Sequence, residues 1–398
     1  MILRQNPLGK LRVAMITRLR VKNYLSLHDV DVELRPKNNI FVGPNMAGKS
    51  NLVDCFRFLT HMVTAGLNKA FFDRGGFAEV VWKGGDESRI SFQLTAQVEE
   101  NPKKIYDYTL IIVGGTTGSI AVEREQLVIQ QGDQTSTLID LSNGQGHVMH
   151  PDGAKAFDPP GPGHSALEFT VPGWAGTDVK EFIASWRFYR LLPTLMKQAN
   201  MAVGQRFLNE HGDNLSSWLM TLQTNHPQEF QRLQQAARDV LPNLEAVLTP
   251  VTQLVTSITS RERSLQRPIT LFRMSDGELS FLALLSLIFA PEELSAPLYC
   301  VEEPENHLHP RLLEELLELL TQRQNEFGPR ASQVIMPTHS PYLVDRVSID
   351  DLMVVEKHNG ATQYTRPASN IHLRELWERE ELGLGELWFS GALGGNTC

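Results

Sequence analysis

The sequence predicts an α/β fold: a mixed sheet with an antiparallel strand subdomain and a helical lobe, and no long coiled coil. Three observations lead there. The short apolar strand Ile40-Phe41-Val42 runs into a glycine loop and then into a helical pattern. Residues 78–150 form successive strand-like runs separated by glycine and Asn/Asp turns. From Ser275 onward, helices alternate with strands, the order of a mostly parallel sheet covered on both faces.

Taken in order, residues 1–14 read as an N-terminal extension, and Met15 opens a cleaner pattern in which Ile16, Leu19, Val21 and Tyr24 roughly alternate with polar residues. Val30, Val32 and Leu34 alternate strictly, as a half-buried strand does. After the glycine loop, Leu52, Val53, Phe56, Leu59, Met62 and Val63 lie on one face of a helix. The runs FAEVVW, ISFQLTAQV, YDYTLIIV and REQLVIQ read as strands, with turns at Gly84-Gly85, Gly114-Gly115 and Gly132-Asp133. PDGAKAFDPPGPG (151–163) is a loop by its proline and glycine content. Helical patterns follow in VKEFIASWRFYRLL, NLSSWLMTL and PQEFQRLQQAARDVLPNLEAVL. Helices over 278–290 and 311–323 alternate with strands at Leu298–Val301, Gln333–Met336 and Leu352–Glu356, the last ending in an Asn359-Gly360 hairpin turn. The expected division is an extension (1–14), a first half-lobe (15–165), a helical lobe (166–273) and a C-terminal half (274–398).

Composition excludes several classes. The longest apolar stretch, Leu279–Ala290, contains two serines and is too short to span a bilayer. The N-terminus lacks the apolar core of a signal peptide. Cys55, Cys300 and Cys398 are too few and too scattered for a disulfide framework or zinc site, so a reducing cytoplasm is the expected location. A net charge of −9 argues against coating nucleic acid with the whole surface, while leaving room for a local patch. Arg18, Arg20 and Lys22 form one candidate patch, and Arg261, Arg263 and Arg267 another; solvated surface charge is the simpler account of either.

Chemistry concentrates in four motifs. Gly43, Pro44, Asn45, Met46, Ala47, Gly48, Lys49 and Ser50 fit G-x-x-x-x-G-K-[ST] in full, between a strand and a helix; with Asn51 they make the candidate nucleotide cradle. Glycines let backbone N–H groups wrap a phosphate at a helix N-terminus. Lys49 reaches the β- and γ-phosphates, and the Ser50 hydroxyl ligates magnesium. Ser275-Asp276-Gly277-Glu278 reads locally as a capping box, Glu278 answering Ser275, and leaves glycine-turn amides at a positive helix end. Glu302 and Glu303 end the strand at Leu298–Val301. In a doubly wound sheet Glu302 holds magnesium and Glu303 orients and deprotonates the attacking water. Glu305, His307 and His309 are better read as a polar turn before the next helix than as metal ligands. Thr338-His339-Ser340-Pro341 follows a strand, and His339 is the expected γ-phosphate sensor.

In this order and spacing the motifs resemble the ATP-binding-cassette (ABC) class of P-loop ATPases, and within it the DNA-maintenance and defence branch of SMC/RecF-like and overcoming-lysogenization-defect-like ATPases. From Met15 on, the chain is similar to a group of predicted bacterial RecF-like ATPases, through stretches such as RLRVKNYLSLHDVDVEL, GPNMAGKSNLVDCFRFL, SDGELSFLALLSL, VEEPENHLHP, THSPYLV and LGELWFSGALGG. The resemblance implies a homodimer with ATP between Gly43–Ser50 of one head and Ser275–Glu278 of the other, Ser275 and Gly277 meeting the partner's γ-phosphate. It implies ATP and Mg2+ as cofactors, Ser50 and Glu302 on the metal, Glu303 as base, and Lys49 and His339 on phosphates. Gln198 and Gln205 are candidates for the class's glutamine loop by position only. Two departures stand out: there is no room for long coiled-coil arms, and no D-x-D cluster of a Toprim nuclease follows the ATPase motifs. The implied function is an ATP-hydrolysing switch in DNA maintenance or anti-phage defence that gates a separate effector such as a small Toprim-like protein. The alternatives are a transporter's nucleotide-binding subunit and an assembly scaffold with little turnover.

Overall fold

The computed structural model describes residues 14–98, 103–115, 118–378 and 383–389. Residues 1–13 of the expected extension, Cys398 and the last residues of LGELWFSGALGG lie outside the described residues. The chain divides into two compact units. One holds the chain up to Trp186, Gln333–His339 and everything from Ser348; the other holds Arg187–Ser332 and Ser340–Val347.

The first unit opens with β1 (Ala14–Tyr24), β2 (Leu27–Glu33), β3 (Asn38–Val42) and helix α1 (Lys49–Ala65), then short helices α2 (Leu67–Phe72) and α3 (Phe77–Val80). Strands β4 (Arg89–Val98), β5 (Lys104–Gly114), β6 (Ile120–Gln131), β7 (Gln134–Ser142), β8 (Gln145–Met149) and β9 (Lys155–Phe157) follow, then α4 (Ala175–Ala184). Eight strands make one antiparallel sheet in the order β2-β1-β4-β5-β6-β7-β8-β9. All six apolar positions expected on the buried face of α1 are buried. Phe58 of the same helix stacks on Phe92 of β4 at 5.2 Å and meets Phe71 at 4.9 Å, which seats α1 on the sheet. Below it, Arg74 and Tyr24 both bond the Asp54 carboxylate, so a charge carried by α1 is compensated where it is partly buried.

Three expectations need correction here. FAEVVW does not start as a strand. Gly76, at φ 97°, precedes one helical turn in which Phe77 and Val80 are buried three residues apart, a spacing the strand reading missed. Strands β7 and β8 fall within the strand-like stretch 78–150 but outside its named runs, because QTSTLIDLS and QGHVM bury only Leu138, Ile139, Leu141 and Val148. The proline-rich loop also contains the short edge strand β9.

The second unit begins with β10 (Arg187–Tyr189), α5 (Pro193–Met196), β11 (Asn200–Met201), α6 (Leu215–Asn225) and α7 (Pro227–Val240). It continues with β12 (Leu244–Leu248), β13 (Val251–Thr252), β14 (Val255–Thr256), β15 (Thr259–Glu262), β16 (Ile269–Thr270), α8 (Asp276–Ile288), β17 (Leu298–Val301) and α9 (Pro310–Phe327). Two small antiparallel sheets run β11-β14-β13 and β12-β15-β16. The helical reading of VKEFIASWRFYRLL ends at Ala184, because Arg187–Tyr189 pairs in parallel with β17. NLEAVL is likewise a strand, paired with β15. In both places tertiary pairing decides between patterns that fit either state. The buried Trp218 indole donates to Ser286 Oγ at 2.9 Å, tying α6 to α8.

The chain returns to the first unit with β18 (Gln333–Thr338), passes through α10 (Pro341–Val344) in the second, and ends with β19 (Leu352–His358), β20 (Ala361–Thr365), α11 (Ile371–Glu378) and α12 (Leu384–Phe389). In the first unit β18 and β19 flank β3 in parallel, and β20 pairs antiparallel with β19 through Asn359 and Gly360, at φ 50° and 83°. That turn is the expected hairpin.

Candidate nucleotide site

The loop after β3 takes its shape from close backbone approach. A Cβ on Gly43 would lie 2.1 Å from the Val355 carbonyl oxygen of β19, so no other residue fits there. Gly48, at φ 109°, is barred twice, since its Cβ would meet Thr362 Oγ1 at 2.0 Å and Ser26 Oγ at 2.8 Å. Met46 sits between them in the left-handed region at φ 65°, with its side chain 85% exposed. Asn45 and Ser50 are exposed, and Ala47 is buried.

A directed chain of hydrogen bonds holds this loop from beneath. Asn51 Nδ2 donates to Ser26 Oγ at 2.6 Å, and Thr362 Oγ1 donates to the Ala47 carbonyl at 2.9 Å. The single Thr362 proton being spent there, Ser26 must donate to Thr362 across their 2.6 Å contact. Neither Ser26 nor Thr362 was a sequence candidate; an ordinary serine in a turn and a threonine on an edge strand carry no motif.

Helix α1 starts at Lys49 with Gly48 as its N-cap, without a side-chain cap and without an acid in the first turn. Its positive end is therefore open to an anion. The Lys49 ammonium, on a residue only 5% exposed, donates to the carbonyls of Gly43 at 2.7 Å and Pro44 at 3.0 Å, and to His339 Nδ1 at 3.2 Å. An ammonium has no lone pair, so His339 accepts through Nδ1. Two predicted residues 290 positions apart thus meet in one place, His339 lying just beyond the end of β18.

The second unit carries the other two motifs. Ser275 caps α8 as expected: its Oγ accepts from the Glu278 amide at 3.1 Å, and Glu278 Oε2 accepts from the Ser275 amide at 2.7 Å. Asp276 takes a hydrogen bond from Lys197 at 2.6 Å, which holds its carboxyl below the usual range. A Cβ on Gly277 would lie 2.8 Å from the His307 carbonyl oxygen. The capped turn therefore rests against the turn that follows β17.

That second turn is tightly wound. β17 is buried at all four positions, and the Glu302 amide continues its parallel pairing by donating to the Tyr189 carbonyl at 2.8 Å. Glu303 and His307 are left-handed, at φ 48° and 67°. Asn306 bonds back to Glu303 twice, amide to carbonyl at 3.0 Å and Nδ2 to Oε2 at 2.8 Å. His309 caps α9, Nδ1 accepting from the Arg311 amide at 3.3 Å, and Glu305 closes a turn with Leu308. The side-chain amides of Gln198 and Gln205 go to carbonyls within the same unit, those of Asp213 and Val203.

Comparison with known proteins gives matches in two long stretches of the chain. Residues 186–345 match a family model described as "AAA domain, putative AbiEii toxin, Type IV TA system", and residues 18–145 match one described as "AAA domain". The DNA replication and repair protein RecF of Corynebacterium jeikeium (strain K411) is 38% identical over 53 residues. An SMC head solved bound to the C-winged helix domain of ScpA superposes with a TM-score of 0.56 at 13% identity, covering 88% of this chain and 96% of that one. The chain is similar to RecF/SMC-like ATPases of the ABC type. A second SMC head, with an extended coiled coil and bound to a ScpA domain derived from Pyrococcus furiosus, gives this RecF/SMC-like chain a TM-score of 0.53 at 11% identity, covering 92% of it and all of the other. At these identities the likeness to the SMC heads is one of fold. The RecF match spans 13% of this chain and 12% of that relative's length.

Proposed function

We propose that this RecF/SMC-like chain binds and hydrolyses ATP with Mg2+ as a dimerising switch in DNA maintenance or anti-phage defence, gating a separate effector. The observation that carries the reading is the Lys49 ammonium, held among Gly43, Pro44 and His339 at the uncapped start of α1. An ammonium on two neutral carbonyls gains from exchanging them for phosphate oxygens, because the acceptor then carries a full opposite charge. Gly43 and Gly48, each barred to any larger residue, shape a cradle suited to a triphosphate.

The roles follow from motif and chemistry. Lys49 neutralises the β- and γ-phosphates, and His339 hydrogen-bonds the terminal phosphate. Ser50 and Glu302 are the assigned magnesium ligands; the bound ion offsets charge on the phosphate oxygens. The longer side chain of Glu302 still permits contact through a water. Glu303 orients water and accepts its proton. Ser275 and Gly277 meet the γ-phosphate bound by a second copy, so that ATP closes the pair and hydrolysis releases it. The RecF match supports a role in DNA maintenance, and the family description of residues 186–345 supports one in defence. Both SMC heads were solved with a ScpA domain bound, which supports a separate partner for this head. Such a protein works in the cytoplasm, and no described helix is long and apolar enough to cross a membrane.

The test compares Mg2+-dependent ATP hydrolysis and light-scattering mass for wild type and Glu303→Gln. The variant should lose at least about 100-fold in turnover and accumulate as an ATP-bound dimer. Equal, near-zero turnover of the two proteins removes the enzyme reading. A variant that stays monomeric with ATP and Mg2+ removes the two-headed one.

A further inference from the structure

The two basic clusters of the sequence have opposite fates. Arg18 and Arg20 both bond Asp31, at 2.6 and 2.9 Å, and Lys22 faces Asp29 at 3.3 Å, so every member of that cluster is ion-paired on its own sheet. Residues 259–274 instead carry Arg261, Arg263, Arg267 and Arg273 against a single acid, Glu262, in a chain of net charge −9. All four arginines are exposed, and among the described residues none has a hydrogen bond or ion pair through its side chain.

The backbone that presents them is fixed. Arg261 lies on β15, paired to β12 on one side and β16 on the other. The Arg263 amide donates to the Asn243 carbonyl at 3.0 Å, and the Leu265 amide to the Glu262 carbonyl at 3.2 Å. Beyond β16, Phe272 stands 65% exposed directly before Arg273. Isolated exposed aromatics are tolerated on surfaces. Here one directly precedes Arg273 and follows the hairpin that carries the other three arginines, all left without carboxylates although acids outnumber bases in the chain as a whole.

The chemistry that fits is a chain of phosphates carrying accessible bases. The guanidinium fork matches phosphate geometry, and an exposed ring offers a stacking platform to a base that is not paired. A duplex hides the faces of its bases, so it can use the arginines but not the ring. We propose that the β15–β16 hairpin and the turn after it bind single-stranded nucleic acid, arginines on phosphates and Phe272 on a base. The biology of this proposal rests on the DNA-maintenance reading above, but binding itself requires nothing of the ATP site.

Fluorescence anisotropy of the full chain, without nucleotide, on labelled oligo-dT and on a duplex of equal length tests it across a salt series. Wild type should prefer the single strand. Arg261→Ala/Arg263→Ala/Arg267→Ala should flatten the slope of log affinity against log salt by about 2, at roughly 0.7 per lost phosphate contact. The same three positions changed to Lys should keep most of the slope. Phe272→Ala should weaken single-strand binding about tenfold and leave the duplex unchanged. Arg18→Ala/Arg20→Ala, on the ion-paired cluster, should change neither, and melting temperatures establish that every variant is folded. Lys49→Ala should still bind the strand, which separates failure of this proposal from failure of the ATPase reading. The proposal is overturned if wild type binds neither probe, if the triple alanine variant keeps the full slope, if Phe272→Ala leaves single-strand affinity unchanged, or if polyglutamate competes as well as oligo-dT. That last result would mark a docking site for an acidic protein.

Discussion

Replacing Thr362 with valine tests whether the glycine loop before α1 is held from beneath by the Asn51–Ser26–Thr362–Ala47 chain. Valine keeps the shape and removes only the hydroxyl. The Ala47 carbonyl then loses its 2.9 Å donor and the Ser26 hydroxyl its 2.6 Å acceptor, at positions where Thr362 is 2% and Ser26 6% exposed. A buried polar group left unsatisfied costs about 1–3 kcal/mol, and the Ser26 hydroxyl can recover part of its share by rotating. The two together give roughly 2–4 kcal/mol. In a unit of a few hundred residues each kcal/mol moves the melting temperature by about 2–4 °C, so a fall of roughly 4–16 °C is expected. Thr362→Ser keeps the hydroxyl and should lose far less. Ser26→Ala removes the partner stranded by valine, so a double-mutant cycle should show coupling of at least about 0.5 kcal/mol. ATP affinity measured on the same variants should fall with stability, because Ala47 lies within the loop. The reasoning fails if Thr362→Val melts within about 1 °C of wild type, or if the two substitutions are simply additive.

Four other outcomes follow from the same geometry. Gly48→Ala forces a Cβ to 2.0 Å from Thr362 Oγ1 at φ 109°, and should abolish ATP binding in a filter or calorimetric assay while lowering the melting temperature. Gly277→Ala meets only the His307 carbonyl, at 2.8 Å, and should stay folded by circular dichroism yet lose about tenfold or more in hydrolysis as the turn beneath the capped helix shifts. Glu303→Gly relieves a left-handed glutamate and should raise stability by about 1 kcal/mol in denaturant melts while turnover disappears; unchanged stability would argue against strain at that residue. Glu125 is fully buried, and burial pushes its carboxyl above the ordinary value despite bonds from Tyr108, Ser165 and the Ala166 amide. The folded state therefore holds this proton more tightly than the unfolded one, and the resulting stability is present at acid pH and lost as pH rises through the folded value. Glu125→Gln cannot titrate, so the wild-type advantage over it in thermal melts should be largest near pH 4.5 and shrink towards pH 8.

Much of this was legible where one residue type has one physical use. Gly43 and Gly48 announce a loop because no Cβ fits, Ser275 and Glu278 announce a helix start, and Asn359-Gly360 announces a hairpin. The long apolar face of α1 was readable for the same reason, since only a helix brings Leu52, Phe56, Leu59 and Val63 together. Legibility failed where the deciding partner is remote. Arg187–Tyr189 and Leu244–Leu248 become strands because β17 and β15 are available to pair with them, and no local pattern contains that fact. The meeting of Lys49 with His339 was expected in kind, through shared phosphate chemistry. The support of the loop by Ser26 and Thr362, 336 residues apart, was not.

Backbone strain sharpens the assignment of the two candidate turns. A left-handed non-glycine residue costs about 1–2 kcal/mol and is expected at hairpin tips, which accounts for Leu25 between β1 and β2 and for Asn143, Gln253, Leu254 and Asn359. Four others need a different reason: Asn23 near the end of β1, Met46 in the glycine loop, and Glu303 and His307 after β17. Strain of this kind persists only where surroundings over-determine it. Glu303 is bound by both bonds from Asn306, and His307 by a carbonyl that leaves no room for a Cβ on Gly277. The Asn306 Nδ2 bond to Oε2 also orients the Glu303 carboxylate, as the proposed base requires, since a general base loses its effect when it must first find its angle. His307 needs no metal to explain its place: its carbonyl already accounts for the glycine opposite. The carboxylates and histidines of this stretch thus divide into Glu302 and Glu303, which end a buried strand and carry the proposed metal and water roles, and Glu305, His307 and His309, which hold the turn itself.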